Sequence, residues 1–243
     1  MDSLIQFTYT SDSLKKKNSH WEDFLKKNSC LSQPLASSSL KVIFESDCPV
    51  IIDEFGHKFQ IDFVEDKINY HKKKLSIKNE PLSKALGKGD KGLSVLDLSA
   101  GLGIDSFFLF QLGYSITALE RNPVIYMALA CAEAQLSEPD HKNIKFIFGD
   151  ALDYLKSTDL QFDVGYFDPM FPAKKSKALP RQEMVFFKKM VGEDLDADQV
   201  VEYVLKNKIF KRFVVKRPLS AESYFKPAGC IKGKIIRYDI YGS

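Results

Sequence analysis

Residues 95–105 read Val95-Leu-Asp-Leu-Ser-Ala-Gly-Leu-Gly-Ile-Asp105 and decide the fold class. A short apolar run carries Asp97, glycines follow at 101 and 103, and a helical apolar pattern starts at Ile104. A strand that turns through glycines into a helix lets backbone approach a ligand where Cβ atoms would block it. Nucleotide-type ligands use that arrangement. A dinucleotide site prefers a third glycine where Ser106 stands, and it does not need Asp97 on the strand.

Downstream of this stretch, short apolar runs alternate with helical patterns. Strands are expected at 94–98, 115–119, 145–148, 162–167, 213–216 and 234–241, and helices at 104–112, 123–136, 152–156, 183–190 and 197–206. Such alternation implies an α/β fold with a mostly parallel sheet and helices on both faces. Asn122 before Pro123 reads as a helix cap followed by a proline at the first helical position.

Upstream, residues 1–91 hold 15 Lys, no Arg and 13 acids. Their apolar residues alternate as in strands at 41–45, 50–53 and 59–64, with a turn at Glu54-Phe-Gly-His57. A small β-rich N-terminal module over 1–90 and a second domain over 91–243 are therefore expected, with a short helix at 81–86. The first forty residues read as helix and loop.

Charge and composition narrow the class. The 243 residues carry 35 Lys and Arg against 32 Asp and Glu, a net +3, so a nucleic-acid role must rest on local clusters and a histone-like polycation is excluded. The longest apolar run, 124–132, is too short to span a bilayer. The N-terminal residues lack the basic-then-apolar pattern of a secretory signal, and a cytoplasmic protein is expected. Cys30, Cys48, Cys131 and Cys230 stand far apart and read as reduced packing residues. The four histidines show no metal-ligand spacing, so no metal is expected.

Each expected strand ends on chemistry. Leu119-Glu120-Arg121 puts a carboxylate 17 residues beyond Gly103, where it can accept from both ribose hydroxyls. Phe148-Gly-Asp150 offers a second carboxylate to an adenine amino group. The spacing Asp-x-x-x-Gly-x-Gly resembles the first motif of class I S-adenosylmethionine (SAM) methyltransferases, which are Rossmann-like. Phe167-Asp-Pro-Met-Phe-Pro172 is similar to the Asp/Asn-Pro-Pro-Tyr/Phe motif of enzymes that methylate base amines or glutamine amides. An amine of that kind is a poor nucleophile, so its site must align it and stabilise developing positive charge. The similarity implies Asp168 and the carbonyl of Pro169 as acceptors, with Phe171 as a stacking face. Lys174, Lys175, Lys177 and Arg181 follow, and Lys206, Lys208, Lys211, Arg212, Lys216 and Arg217 form a second basic group. Both groups are expected to flank one cleft as phosphate contacts. The acidic stretch 193–198 reads as a helix start capped by Asp196, without chemistry.

Taken in order, Leu96-Asp-Leu-Ser-Ala-Gly-Leu-Gly-Ile-Asp105, Leu119-Glu-Arg-Asn-Pro123, Asp168-Pro-Met-Phe-Pro172, Val191-Gly-Glu-Asp-Leu-Asp-Ala-Asp198, Val214-Val-Lys-Arg-Pro218 and Arg237-Tyr-Asp-Ile-Tyr241 resemble the RsmJ family. The resemblance runs from near Val50 to the C-terminus. It implies SAM as cofactor, the exocyclic N2 of a guanine in 16S ribosomal RNA as target, and the small ribosomal subunit or its RNA as partner. It implies that Asp105, Glu120, Arg121 and Asp168 contact cofactor or target, with the Gly101 and Gly103 loop beneath; Asp97, Ile104, Asp150 and Ala151 complete the expected cofactor site. Where the family has Arg-Asp after the glycine loop, this chain has Ile104-Asp105, and where it has a serine pair after the third strand, this chain has Asp150-Ala151. The basic segment from His71 to Glu80 lacks the family's glycines. Other readings stay open: an amino-methyltransferase of another RNA, DNA adenine or glutamine; a nicotinamide oxidoreductase, disfavoured by Ser106; and a non-catalytic RNA-binding relative.

Overall fold

A computed structural model of the chain describes residues 5–28, 39–64, 80–87, 92–170 and 194–242. The N-terminal elements are β1 (Ile5–Tyr9), α1 (Asp12–Asn18), α2 (His20–Asn28), β2 (Leu40–Phe44), β3 (Val50–Ile52) and β4 (Lys58–Phe59). There follow α3 (Pro81–Leu86), β5 (Ser94–Asp97), α4 (Ile104–Gln111), β6 (Ser115–Glu120), α5 (Pro123–Glu133), α6 (Glu138–His141), β7 (Ile144–Phe148) and α7 (Ala151–Ser157). The chain closes with β8 (Val164–Phe167), α8 (Ala197–Asn207), β9 (Arg212–Pro218), β10 (Gly229–Lys232) and β11 (Ile236–Tyr241).

Packing groups these elements into two units, and one of them joins residues 1–64 with 122–136 and 170–194. Its sheet runs β1-β2-β3-β4, with β1 parallel to β2 from Ile5 opposite Leu40 to Tyr9 opposite Phe44. The strand β1 lies where only helix and loop were expected, although Ile5, Phe7 and Tyr9 alternate with the exposed Gln6 and Thr8 as a half-buried strand requires. The third expected strand shrinks to the two residues of β4, while Ile61 and Phe63 are still buried beyond it. Gly56, at φ 80°, turns the β3–β4 connection, and the Asp53 carboxylate accepts from the backbone N–H groups of Phe55 and His57 at 2.9 and 2.8 Å. In α5, Asn122 caps as expected, accepting from Val124 and Ile125 N–H. Tyr126 of this helix meets the rings of Trp21 and Phe24 from α2. Buried Cys48 and Cys131 act as packing residues, whereas Cys30 lies outside the described residues.

The other unit joins residues 65–121, 137–169 and 195–243. Its seven-stranded sheet has the order β10-β11-β9-β8-β5-β6-β7. Strands β9, β8, β5, β6 and β7 are parallel, and β11 and β10 add antiparallel at one edge. The chain moves outward from β5 through β6 to β7, then returns to place β8 on the other side of β5. That reversal opens a crevice at the carboxyl ends of β5 and β8, where doubly wound sheets bind their ligands. This is a class I, Rossmann-like α/β fold.

Each side of the sheet needs apolar cover. On one packing cluster, Val200, Val201 and Val204 of α8 join Leu96, Phe167, Phe213 and Val215 from three neighbouring strands. The valines recur at the spacing that puts them on one helix face. Gly165 of β8 has no side chain because the Phe210 ring occupies that space. The late strand expected at 234–241 is β11, and an unexpected short edge strand, β10, pairs with it as a hairpin and carries Cys230 on its exposed side. Cys230 is therefore not the packing residue expected from the sequence. The expected helix at 183–190 lies outside the described residues.

Candidate active site

The glycine loop is fastened at both ends by Asp97. This carboxylate, 1% exposed, accepts the Ser99 N–H at 2.9 Å on one oxygen and the Ser106 hydroxyl at 2.5 Å on the other. Ser99 starts the loop and Ser106 lies in the first turn of α4, so one buried acid fixes the curvature between them. Gly101 and Gly103 sit at φ 56° and 74°, left-handed backbone that a Cβ would strain. The Gly101 N–H donates to Glu120 Oε2 at 2.9 Å, which ties the loop to the end of β6. Burial pushes the Asp97 carboxyl up to about 7; the hydrogen bonds from Ser106 and Ser99 oppose this, and the charges of Asp105 and Asp168 add to it.

At the carboxyl ends of β8 and β9 four polar side chains meet. Lys216 Nζ lies 2.8 Å from Asp105 Oδ2 and 2.8 Å from Asp168 Oδ2. The Tyr166 hydroxyl donates to the same Asp105 oxygen at 2.6 Å. Burial alone would lower the Lys216 pKa, but Asp168 and Asp105 outweigh it and raise it, so the ammonium stays charged. Tyr166 is fully buried, and burial together with the neighbouring carboxylates raises its pKa well above the usual value. The cluster thus sets two carboxyl groups around one ammonium. The Asp168 N–H donates to Ser99 Oγ at 2.7 Å, pinning the turn after β8 to the glycine loop. Pro169 follows; Phe171 lies outside the described residues.

The ends of β6 and β7 supply the remaining acids. Asp150 caps α7, its Oδ1 accepting from Leu152 and Asp153 N–H at 2.8 and 3.3 Å, with Ala151 buried just behind. Its other oxygen lies 3.5 Å from Arg121 Nη1. The same nitrogen lies 3.1 and 2.9 Å from the two oxygens of Asp196. Asp196 stands at the cap position of α8 but makes no capping hydrogen bond, so the expectation of a cap without other use is corrected. Asp194, from the same stretch, accepts the Met170 N–H at 2.7 Å.

The fold thus brings Asp97, Gly101, Gly103, Ile104, Asp105, Glu120, Arg121, Asp150, Ala151, Asp168 and Pro169 to the carboxyl ends of the parallel strands. The basic residues expected at phosphates divide into four groups. Lys216 is held between the Asp105 and Asp168 carboxyl groups. Arg217 is buried, donates to the Glu222 carbonyl and lies over the Tyr224 ring. Lys206, Lys208, Lys211 and Arg212 lie at the end of α8 and the amino end of β9, away from the carboxyl ends that form the crevice. Arg212 instead donates to the Ala85 carbonyl that ends α3. Lys174, Lys175, Lys177 and Arg181 are outside the described residues. Sequence reasoning missed Ser99, Ser106, Tyr166 and Asp196. Only the two serines carry a readable signal, flanking the glycine pair at hydrogen-bonding distance from a strand-end acid.

These residues fit SAM. The left-handed glycine backbone admits a ligand against the loop, and Glu120 presents a carboxylate at the β6 end. Ile104, 67% exposed at the head of α4, offers an apolar surface beside both. Among the described residues no group of His, Cys, Asp and Glu is placed to hold a metal ion, and no helix is long and apolar enough to cross a membrane.

Comparison with known proteins agrees with this geometry. Residues 50–243 match a family model described as "Putative SAM-dependent methyltransferase". A protein of Bdellovibrio bacteriovorus named ribosomal RNA small subunit methyltransferase J is 43% identical over 192 residues, 78% of this chain and 76% of that protein. A Thioalkalivibrio sulfidiphilus protein of the same name is 39% identical over 193 residues, 75% of each. A crystal structure of a SAM-dependent methyltransferase from Neisseria gonorrhoeae shares the fold at a TM-score of 0.67 and 24% identity, covering 97% of this chain and 95% of that one.

Proposed function

We infer the function from one premise: the chain belongs to the ribosomal RNA small subunit methyltransferase J family, and it is a methyltransferase that uses SAM. Its reaction is methyl transfer to the exocyclic N2 of a guanine in 16S ribosomal RNA. The observation that carries this reading is the placement of Asp168, the acid of the Asp-Pro-x-Phe motif, at the strand end beside the glycine loop. A ribosomal substrate places the work in the cytoplasm, and the small subunit or its RNA is the partner.

Bound in the crevice, SAM supplies a methyl group made electrophilic by its sulfonium. The chain's residues do the rest. Glu120 accepts from the ribose hydroxyls, Gly101 and Gly103 let the backbone close on the methionine end, and Ile104 and Ala151 give apolar contact. Arg121, Asp105 and Asp150 line the same rim. Asp168 and the Pro169 carbonyl accept the two N–H bonds of the amine, turning its lone pair toward the methyl, and Phe171 stacks on the base. The Asp168 carboxyl, set beside the amine, favours the positive charge that develops there. Lys174, Lys175, Lys177 and Arg181 contact RNA phosphates, and along the sequence residues 1–90 are read as the N-terminal module and 91–243 as the methyltransferase domain.

The test is transfer of labelled methyl from SAM to small subunits from cells lacking this gene, with product analysis and Asp168→Ala as control. Label in N2-methylguanosine that disappears with Asp168→Ala supports the reading. SAM binding without label on the subunit or its RNA discards the ribosomal target.

A further inference from the structure

We propose that Lys216 is a positioning residue for Asp168: it holds that carboxylate ionised and turned toward the amine, so Asp168 aligns the nucleophile while the departing proton goes to water. The inference rests on the methyltransferase reading above and adds to it a role for one residue and a limit on another.

The geometry carries it. Lys216 lies one residue beyond the register pair that joins Phe167 of β8 to Val215 of β9, so the parallel ladder itself brings Lys216 beside Asp168. Its Nζ is equidistant, at 2.8 Å, from single oxygens of Asp168 and Asp105. Asp105 is fixed in turn by the Tyr166 hydroxyl at 2.6 Å. On the adjacent strand Tyr238 pairs in register with Lys216, and Asp97 lies within electrostatic reach of Asp105 and Asp168. Among the described residues, the charged and titratable groups that face Lys216 are Asp168, Asp105, Tyr166 and Tyr238, with Asp97 and Glu80 more remote. In this cluster Lys216 is the cation that touches both carboxyl groups. Without it, two carboxylates sharing one amine contact would repel, and Asp168 would take up a proton at higher pH. A protonated Asp168 presents a hydroxyl donor and a weaker acceptor, so it aligns the amine less well. A carboxylate fixed by an ammonium is a poor base but a well-aimed acceptor, which suits a methylated nitrogen acidic enough to release its proton to solvent.

The experiment is a carboxyl 13C NMR titration of Asp168 in the full chain, assigned with Asp168→Asn, run for the wild type, Lys216→Met and Lys216→Arg. It is paired with methyl transfer to small subunits over about pH 5.5 to 9. In the wild type the Asp168 carboxyl is expected to stay ionised across the whole range. In Lys216→Met its midpoint rises by at least about one unit. The kcat then falls by roughly 10- to 100-fold, its acidic limb moves to higher pH, and KM for SAM changes by less than about threefold. Lys216→Arg restores both the titration and most of kcat. A wild-type Asp168 that titrates within the range overturns the proposal, even if no variant folds. So does an unchanged midpoint in folded Lys216→Met, or a rise in KM for the subunit at constant kcat, which would mark a phosphate contact. If the wild type transfers no methyl to subunits, the ribosomal reading fails while the titration still decides the role of Lys216.

Discussion

Arg121 Nη1 lies within 3.1 Å of both carboxylate oxygens of Asp196, a contact across 75 residues of sequence that joins the end of β6 to the start of α8. The three side chains of the Arg121, Asp196 and Asp150 group are each about a third exposed, so the ion pairs contribute at most about 1 kcal/mol to folding. Their value lies in orientation. Asp196→Ala is expected to lower Tm by no more than about 3 °C and to raise the Kd for SAM by roughly 3- to 10-fold, because Arg121 then loses its shortest carboxylate contact and is held less firmly at the rim. Calorimetric titration with SAM measures this. An unchanged Kd would show that Arg121 does not serve the cofactor.

Asp97 makes stability depend on pH. Its carboxyl, pushed up to about 7 by burial from a usual value of 3.8, keeps a proton in the folded state that the unfolded chain has already released. Stability therefore falls as pH rises from about 4 to about 7, by on the order of a few kcal/mol at the upper limit. Asp97→Asn can still accept from the Ser99 N–H and can donate to Ser106 Oγ. Urea unfolding at several pH values should show the wild type losing stability across that window relative to Asp97→Asn. Parallel curves would mean that Asp97 does not titrate there.

The parts of the site that could be read from sequence were those announced by a strand end. Asp97, Glu120, Asp150 and Asp168 each close an apolar run, and in a parallel sheet such residues converge whatever the rest of the chain does. The roles of Lys216 and Arg217 were hidden for the opposite reason. A Lys-Arg pair reads as generic positive charge, and only the register of β9 against β8 shows that one partner reaches Asp168 while the other turns inward over Tyr224. Asp196 was read as a helix cap because a local partner competes with a distant one in any single-sequence argument. The strand β1 was missed although Ile5, Phe7 and Tyr9 alternate correctly, since its partner β2 lies some thirty residues away in parallel and no turn signal announces the pairing.

Gly165 tests the packing behind the site. A Cβ there would collide with several atoms of the Phe210 ring, which is itself buried. Gly165→Ala is expected to cost about 1–3 kcal/mol, because the ring must move within a filled core. Phe210→Leu should return part of that loss when combined with Gly165→Ala, although it costs stability alone. A double-mutant cycle on unfolding free energies checks this; strict additivity would show that the two positions do not contact one another.

Lys208 offers the converse change. It ends α8 at φ 49° and ψ 45°, the one non-glycine residue in left-handed backbone among those described. Its side chain is exposed. A glycine at this position escapes the Cβ penalty of about 1 kcal/mol but gains freedom in the unfolded chain, which takes back part of the benefit. The expected net effect of Lys208→Gly is stabilisation by about 0.5 kcal/mol, a rise in Tm of roughly 1–2 °C. Because Lys208 lies at the amino end of β9, the methyl-transfer rate on small subunits should not change. A drop in Tm would mean that a side-chain contact outweighs the backbone strain. A drop in kcat/KM with intact folding would return the 206–212 basic group to the RNA surface, the assignment that its place in the sheet argues against.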